Sequence, residues 1–167
     1  MVAIIASLLL GLPCQDNDSP IFKHWSGWKA GAWVKLKLEA EFLPGNKVES
    51  EMTTKALEIT ADKIVVEQSG KARKGGQTFE LPTEKQEIKP KDSKFTAIEK
   101  EGDEEIELSG KKIKCHWIQM TQDHSQAKIT SKFWFSKEIP GGLAKSETTK
   151  EGGVVLMKMQ AVDWGEK

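Results

Sequence analysis

GAWVKLKLEAEF (residues 31–42) is the stretch that decides the fold, because apolar and charged residues alternate along it. A period of two places successive side chains on opposite faces of an extended chain, so this stretch predicts a half-buried strand. The apolar phase of the strand consists of Val34, Leu36, Leu38, Ala40 and Phe42. Strands of this kind belong to antiparallel sheets that pack one face on a core and expose the other.

The same pattern continues along the rest of the chain. Short extended segments alternate with Gly, Pro and Asn turns, and no window keeps a helical period over a helical length. Beyond residue 42 the predicted strands are 48–59, 64–66, 78–81, 95–99, 104–108, 113–120, 129–135, 143–150 and 154–162. We therefore predict a mainly β fold, an antiparallel meander of nine or ten strands rolled into a half-barrel or a barrel.

At most one or two short helices fit this pattern. One is expected near residues 19–28, with Ser19 as its cap and Pro20 as its first helical residue. The other possible position is near residues 83–89, between Pro82 and Pro90, where the polar segment is either irregular or a short helix.

Length and charge restrict the class of protein. The chain has 167 residues, which fits one domain, and we assign that domain to residues 21–167. The 25 Lys and Arg residues equal the 25 Asp and Glu residues, so there is no general attraction to nucleic acid or anionic lipid. We expect no nucleic-acid partner.

Residues 1–20 are typical of an export signal followed by a polar linker. Residues 2–12 form a nearly unbroken apolar run, about half the length that spans a bilayer, and polar residues follow at once. A buried first strand or helix is the alternative. Cys14 lies where a lipoprotein signal places its acylated cysteine, although Pro13 departs from that motif, and contact with a membrane is expected only through this anchor. Cys14 either pairs with Cys115 or is lost with the signal, which leaves Cys115 as a buried lone thiol; we favour the second.

No motif indicates a reaction, a metal or a cofactor. The triplet Asp123, His124 and Ser125 is too local for a catalytic triad, and the acidic run at residues 99–107 matches no calcium loop. The basic stretch at residues 71–74 lacks a phosphate-loop pattern. We therefore expect a protein without enzymatic activity. The rival hypothesis is an enzyme assembled from scattered side chains such as His116, His124 and Glu147.

The aromatic residues suggest what an inner face of the sheet would hold. Bulky rings either fill a plain core or line a cavity for an apolar ligand, and the alternation alone leaves both open. The residues predicted to bind such a ligand are Trp33, Leu36, Leu38, Trp117, Phe133 and Phe135.

Three stretches, residues 31–41, 110–120 and 133–147, resemble small exported bacterial envelope proteins of unknown function, similar to the half-barrel lipoprotein carriers LolA and LolB. The resemblance implies an antiparallel sheet curled around a short helix, with an apolar inner face and no catalytic residues. Together with the residue patterns it predicts an exported, non-enzymatic envelope protein that binds a lipid or another apolar molecule. The alternative is a module that docks an envelope protein through a strand edge or an aromatic patch.

Overall fold

The computed structural model describes residues 19–41, 45–90, 98–124 and 127–166. A single helix is present in these ranges, α1 (Pro20–Ser26). The strands are β1 (Trp33–Glu41), β2 (Lys47–Ile59), β3 (Ile64–Lys74), β4 (Gln77–Ile88), β5 (Lys100–Leu108), β6 (Lys111–His124), β7 (Ala127–Phe135), β8 (Leu143–Lys150) and β9 (Val154–Gly165). The helix is not long enough to cross a membrane, and it is the sole helix of the described ranges.

All nine strands form one antiparallel sheet in the order β4-β3-β2-β1-β9-β8-β7-β6-β5. Strands that follow one another along the chain pair, except β4 and β5, and the pairing of β1 with β9 joins the two halves at the centre. The sheet is curled but not closed, so β4 and β5 remain edge strands. The prediction of a mainly β antiparallel meander is confirmed, in its half-barrel form.

The alternation in β1 defines the two faces of the sheet. Val34, Leu36, Leu38 and Ala40 are buried, whereas the residues between them are partly exposed. We call the face that carries the buried residues the inner face, and the opposite one the outer face. The register extends the inner face to Met157, Met159 and Ala161 of β9, which lie opposite residues of β1.

The predicted helix near residues 19–28 is confirmed as α1. The Ser19 side chain accepts a hydrogen bond from the Phe22 amide at 3.3 Å, which caps the first turn, and Pro20 opens the helix. Phe22 and Trp25 are buried on the side of the helix that faces the sheet.

The predicted helix near residues 83–89 is wrong, because this segment belongs to β4. Proline is tolerated in edge strands and at bulges, since no ladder hydrogen bond is then lost. Pro82 meets both conditions: β4 is an edge strand, and its register against β3 shifts between Gln68 and Gly70, opposite this proline. Proline therefore does not end the strand here.

Several predictions concern residues that the structure does not describe. The signal-like run, Cys14 with its lipidation, and Phe42 lie outside the described residues, as does most of the predicted strand at 95–99. The described strands form one sheet, and the assignment of a single domain to residues 21–167 stays a prediction.

Candidate functional site

The candidate site is a cavity between α1 and the inner face of the sheet. Its volume is about 60 Å³. The lining comes from the helix, from β1–β4, from the end of β7 and from the β7–β8 connection: Ile21, Trp25, Val34, Leu36, Thr54, Val66, Gln68, Gln86, Ile88, Phe133, Phe135, Pro140, Gly141 and Leu143.

The β7–β8 connection holds α1 in place. Gly141 and Gly142 have φ angles of +75° and +81°, which a residue with a side chain rarely adopts. A Cβ atom on Gly141 would lie 2.6 Å from the Trp25 ring, and one on Gly142 would lie 2.2 Å from the His24 ring. Two consecutive helix side chains thus lie flat against glycine backbone, and larger residues here would push α1 away from the sheet.

His24 is packed from both sides. Its ring stacks on Phe135 with centroids 5.6 Å apart and planes 11° from parallel. Burial lowers the pKa of His24 from its ordinary value, and the nearby charges of Lys137 and His116 lower it further. Docking of the helix therefore favours the uncharged form of the imidazole.

The cavity is apolar with a small polar part. On β7 and β8 its lining is wholly apolar, from Phe133, Phe135 and Leu143, whereas β2, β3 and β4 add Thr54, Gln68 and Gln86. No charged side chain is among the lining residues that the structure describes. A lining of this kind suits an apolar ligand with a few uncharged polar atoms.

The cavity is small in the state described. A volume of about 60 Å³ holds a few water molecules, whereas typical small-molecule sites measure roughly 300–1,000 Å³. An acyl chain would therefore have to displace α1, whose side chains Ile21 and Trp25 line the cavity. With seven residues, α1 is too short to be stable in isolation, so its position depends on these contacts.

The structure brings together some of the residues predicted to bind a ligand. Leu36, Phe133 and Phe135 line the cavity. Leu38 lies on the same inner face but is not among the lining residues. Trp33 lies on the outer face, one position out of phase with Val34. Trp117 is also on the outer face, because it pairs with Trp134 while the next residue of β6, Ile118, pairs with Phe133.

Eleven of the lining residues were not predicted to bind a ligand, among them Ile21, Trp25, Gln68 and Gln86. The first two belong to the predicted helix, so the serine–proline start was a usable signal for them. Gln68 follows Val66 by two positions in β3, beyond the end of the predicted strand at 64–66. Gln86 reaches the inner face through its pairing with Val66, in a register that a bulge separates from the hairpin turn and that the sequence does not fix.

Trp117 and Trp134 take part in a separate cluster on the outer face. The Lys132 ammonium lies 4.0 Å from the centroid of the Trp117 ring and 4.5 Å from that of Trp134. The Trp134 indole N–H and Lys132 both donate to the Glu104 carboxylate, which holds the pKa of that carboxyl below its usual range. Lys132 and Glu104 already contact these rings, so Trp117 and Trp134 belong to a small packed cluster on the outer face.

The residues proposed for an enzyme do not converge. His116 lies on the inner face beside Phe135 and contacts Asp103 at 3.0 Å and Glu101 at 3.6 Å. Glu147 lies on the outer face, opposite Lys132. The His124 side chain lies outside the described part of the structure. Among the described residues no group of three or more His, Cys, Asp and Glu side chains could hold a metal ion.

Cys115 is buried, with 4% of its surface exposed. Burial raises the pKa of its thiol to about 11, and the negative charges of Glu104 and Glu138 act in the same direction. The side chain behaves as a small apolar group of the core.

Comparison with known proteins gives distant structural neighbours. No protein-family model and no curated protein matches the chain. A candidate exported protein with a YmcC-like fold from Bacteroides fragilis is 9% identical, with a TM-score of 0.45, over 94% of this chain and 99% of that one. A LolA superfamily protein from Nitrosomonas europaea is 7% identical, with a TM-score of 0.26, over 92% of this chain and 94% of that one. Both are of the classes named by the resemblance in the sequence, and at these values neither transfers a function to this chain.

Proposed function

We propose that this protein is an exported, non-enzymatic cell-envelope protein that binds a lipid or another apolar ligand between α1 and the inner face of its sheet. The observation that carries the proposal is the cavity beneath α1, whose lining is apolar apart from three uncharged polar side chains. A core without a ligand site would be filled by side chains at this position. Here a cavity lined mostly by apolar side chains separates the helix from the sheet.

In this proposal α1 acts as a plug. Ile21 and Trp25 cover the inner face when the site is empty, and an acyl chain takes over their contacts when it enters. The exchange is feasible because both states bury apolar surface against Leu36, Phe133 and Leu143. Much of the apolar surface that the helix loses would be covered again by the ligand.

Export is supported by the N-terminal sequence. Residues 2–12 are apolar, and Gln15, Asp16 and Asn17 follow directly after Cys14. In this proposal the run directs export, and Cys14 is either acylated or removed with it. A lipid-binding sheet would then act in the envelope, where its ligands occur.

A second candidate is a protein-interaction module, and the open sheet favours it. Among the described strands, β4 and β5 are each paired on one side only, so a partner strand could add to either edge. Phe79 on β4 is 50% exposed and would sit at such a contact.

Native mass spectrometry of the exported protein tests the first proposal. A bound mass that is lost on denaturation supports a ligand, and the covalent mass reports whether Cys14 is acylated or cleaved. A bare chain would shift support to the interaction module, which predicts a stable complex in extracts of the envelope.

Binding of the uncharged dye N-phenyl-1-naphthylamine locates the site. Ile21→Trp adds bulk to the cavity from the helix, so we expect at least a tenfold loss of dye affinity. Trp33→Ala removes a ring from the outer face and serves as the matched control with unchanged affinity. Equal effects of the two substitutions, or absence of dye binding to the folded protein, would refute the proposed site.

A further inference from the structure

Three uncharged polar side chains lie together on one part of the cavity wall. Thr54 and Gln68 are direct cross-strand partners on β2 and β3. Gln86 pairs with Val66 on the next strand, which makes it a diagonal neighbour of Gln68 on the inner face. Cross-strand partners have Cβ atoms about 5 Å apart and diagonal ones about 7 Å, so one small polar group can reach all three.

These side chains keep their hydrogen-bonding capacity for a ligand. Within the described ranges, no hydrogen bond or ion pair joins the side chains of Thr54, Gln68 or Gln86 to another residue. Thr54 is nevertheless 6% exposed, and both glutamines are partly buried. Three uncharged polar side chains with unused hydrogen-bonding capacity therefore face one apolar cavity, and together they can bind a polar group there.

None of the described lining residues is charged, so neither an anionic nor a cationic headgroup finds a counter-ion within the lining itself. The nearest ionisable side chain along the sheet is the exposed Glu84, which lies opposite Gln68 on β4 and is not among the lining residues. An anionic headgroup would lose water without gaining a cation and would be repelled by Glu84. An uncharged headgroup avoids both costs and uses the two carboxamides as donors and acceptors.

We infer that the cavity selects single-chain amphiphiles with an uncharged, hydrogen-bonding headgroup. This inference rests on the proposed function. The headgroup lies against Thr54, Gln68 and Gln86, and the chain runs across the inner face towards Phe133 and Leu143, the wholly apolar side of the lining. Esters, amides and hydroxyls of acylglycerol type meet this description, and free fatty acids do not.

Competition with bound N-phenyl-1-naphthylamine tests the inference on the full-length exported protein. Three competitors with the same twelve-carbon chain are compared below their micelle concentrations: 1-lauroylglycerol, laurate and dodecyltrimethylammonium. We expect 1-lauroylglycerol to displace the dye at about one tenth of the concentration that either ion requires, which corresponds to one or two hydrogen bonds kept without a buried charge.

Substitutions on β3 and β4 identify the headgroup site. Gln68→Leu with Gln86→Leu should raise the concentration of 1-lauroylglycerol needed for displacement about tenfold, because two hydrogen-bonding groups are lost. Gln86→Lys should make laurate a better competitor than 1-lauroylglycerol, because the lysine ammonium can pair with the laurate carboxylate. Glu87→Leu, on the exposed opposite side of the same strand, is the matched control and should leave the order unchanged.

The outcomes separate the two proposals. If the folded protein does not bind the dye, the proposed function fails and this inference fails with it. If the dye binds but laurate competes as well as 1-lauroylglycerol, the function stands and the headgroup inference is overturned. If the cation competes best, Glu84 rather than the glutamines determines the preference, and the inference is again overturned.

Discussion

His24 shows how one side chain can make the docking of a helix depend on pH. Burial lowers its pKa, and Lys137 and His116 add to that effect. The unfolded chain therefore binds a proton near the ordinary value of 6.5, whereas the folded protein resists it until a lower pH. Folding is favoured fully above that ordinary value and loses stability as the pH falls through it towards the folded value.

We predict that the free energy of unfolding falls between about pH 8 and pH 5 in the native protein, and that His24→Phe reduces this fall. Phenylalanine keeps the stack on Phe135 but does not titrate. Urea unfolding at each pH measures the effect. Glu99 and Glu104 have pKa values below the ordinary 4.5, so they contribute mainly at lower pH.

His116→Gln is the control for this prediction, since it removes the neighbouring ring on the same face and keeps His24. Most of the decrease in the free energy of unfolding on acidification should persist in this variant. If the free energy of unfolding of His24→Phe decreased on acidification as much as that of the native protein, another titratable group would be responsible for the pH dependence.

Cys115 should be inert in the folded protein. Its thiol is buried and its pKa is raised to about 11, so the thiolate that reacts with alkylating reagents is scarce and shielded. We predict that iodoacetamide modifies Cys115 at neutral pH only after denaturation, as measured by mass spectrometry of the peptide that contains it. Rapid labelling of the native protein would contradict the burial of β6 at this residue.

At the scale of elements, the turn between β7 and β8 should matter more than other glycine turns. Gly142→Ala introduces a methyl group into the His24 ring and strains a φ of +81°, whereas Gly152→Ala strains a φ of +88° with nothing within 4 Å. Strain alone costs about 1–2 kcal/mol in both variants. We predict that Gly142→Ala lowers the free energy of unfolding by roughly 1–3 kcal/mol more than Gly152→Ala does, because α1 must shift.

Chemical denaturation of the two variants measures this difference, and hydrogen exchange of the peptide that contains α1 locates it. Exchange in α1 should increase in Gly142→Ala and stay unchanged in Gly152→Ala. Equal losses of stability would mean that α1 does not depend on its contact with this turn.

The elements that the sequence revealed are those fixed by local physics. Alternation alone predicted β1 and its inner face, and the serine–proline start predicted α1. β4 was missed in part, because proline and polar residues contradict a strand until its position at the edge of the sheet is known.

The same distinction applies to the site. Period two already separates Trp33 from Leu36, and the structure places them on opposite faces. Gln68 lies at period two from Val66, but Gln86 joins the cavity only through the register of β4 against β3, which a bulge interrupts and no local pattern encodes.

At the scale of the whole molecule, one pairing between distant segments unites the sheet. β1 and β9 are far apart in sequence but adjacent at the centre, with Leu36 opposite Ala161 and Leu38 opposite Met159. Every other pairing in the sheet joins strands that follow one another along the chain. β9 therefore connects two meanders, β1–β4 and β5–β8, and the described residues show no other strand pairing between them.

We predict that a chain ending at Gly153 loses the fold, although it removes only β9 and two following residues. β1 and β8 would each expose an unpaired edge, and the inner face would lose the buried Met157, Met159 and Ala161. Circular dichroism on heating should show no cooperative transition, and size-exclusion chromatography should show aggregates. A chain ending at Gly165 is the matched control and should unfold like the native protein. If the shorter chain kept a cooperative transition, one meander would be stable alone, and the inner face would not need both halves to form.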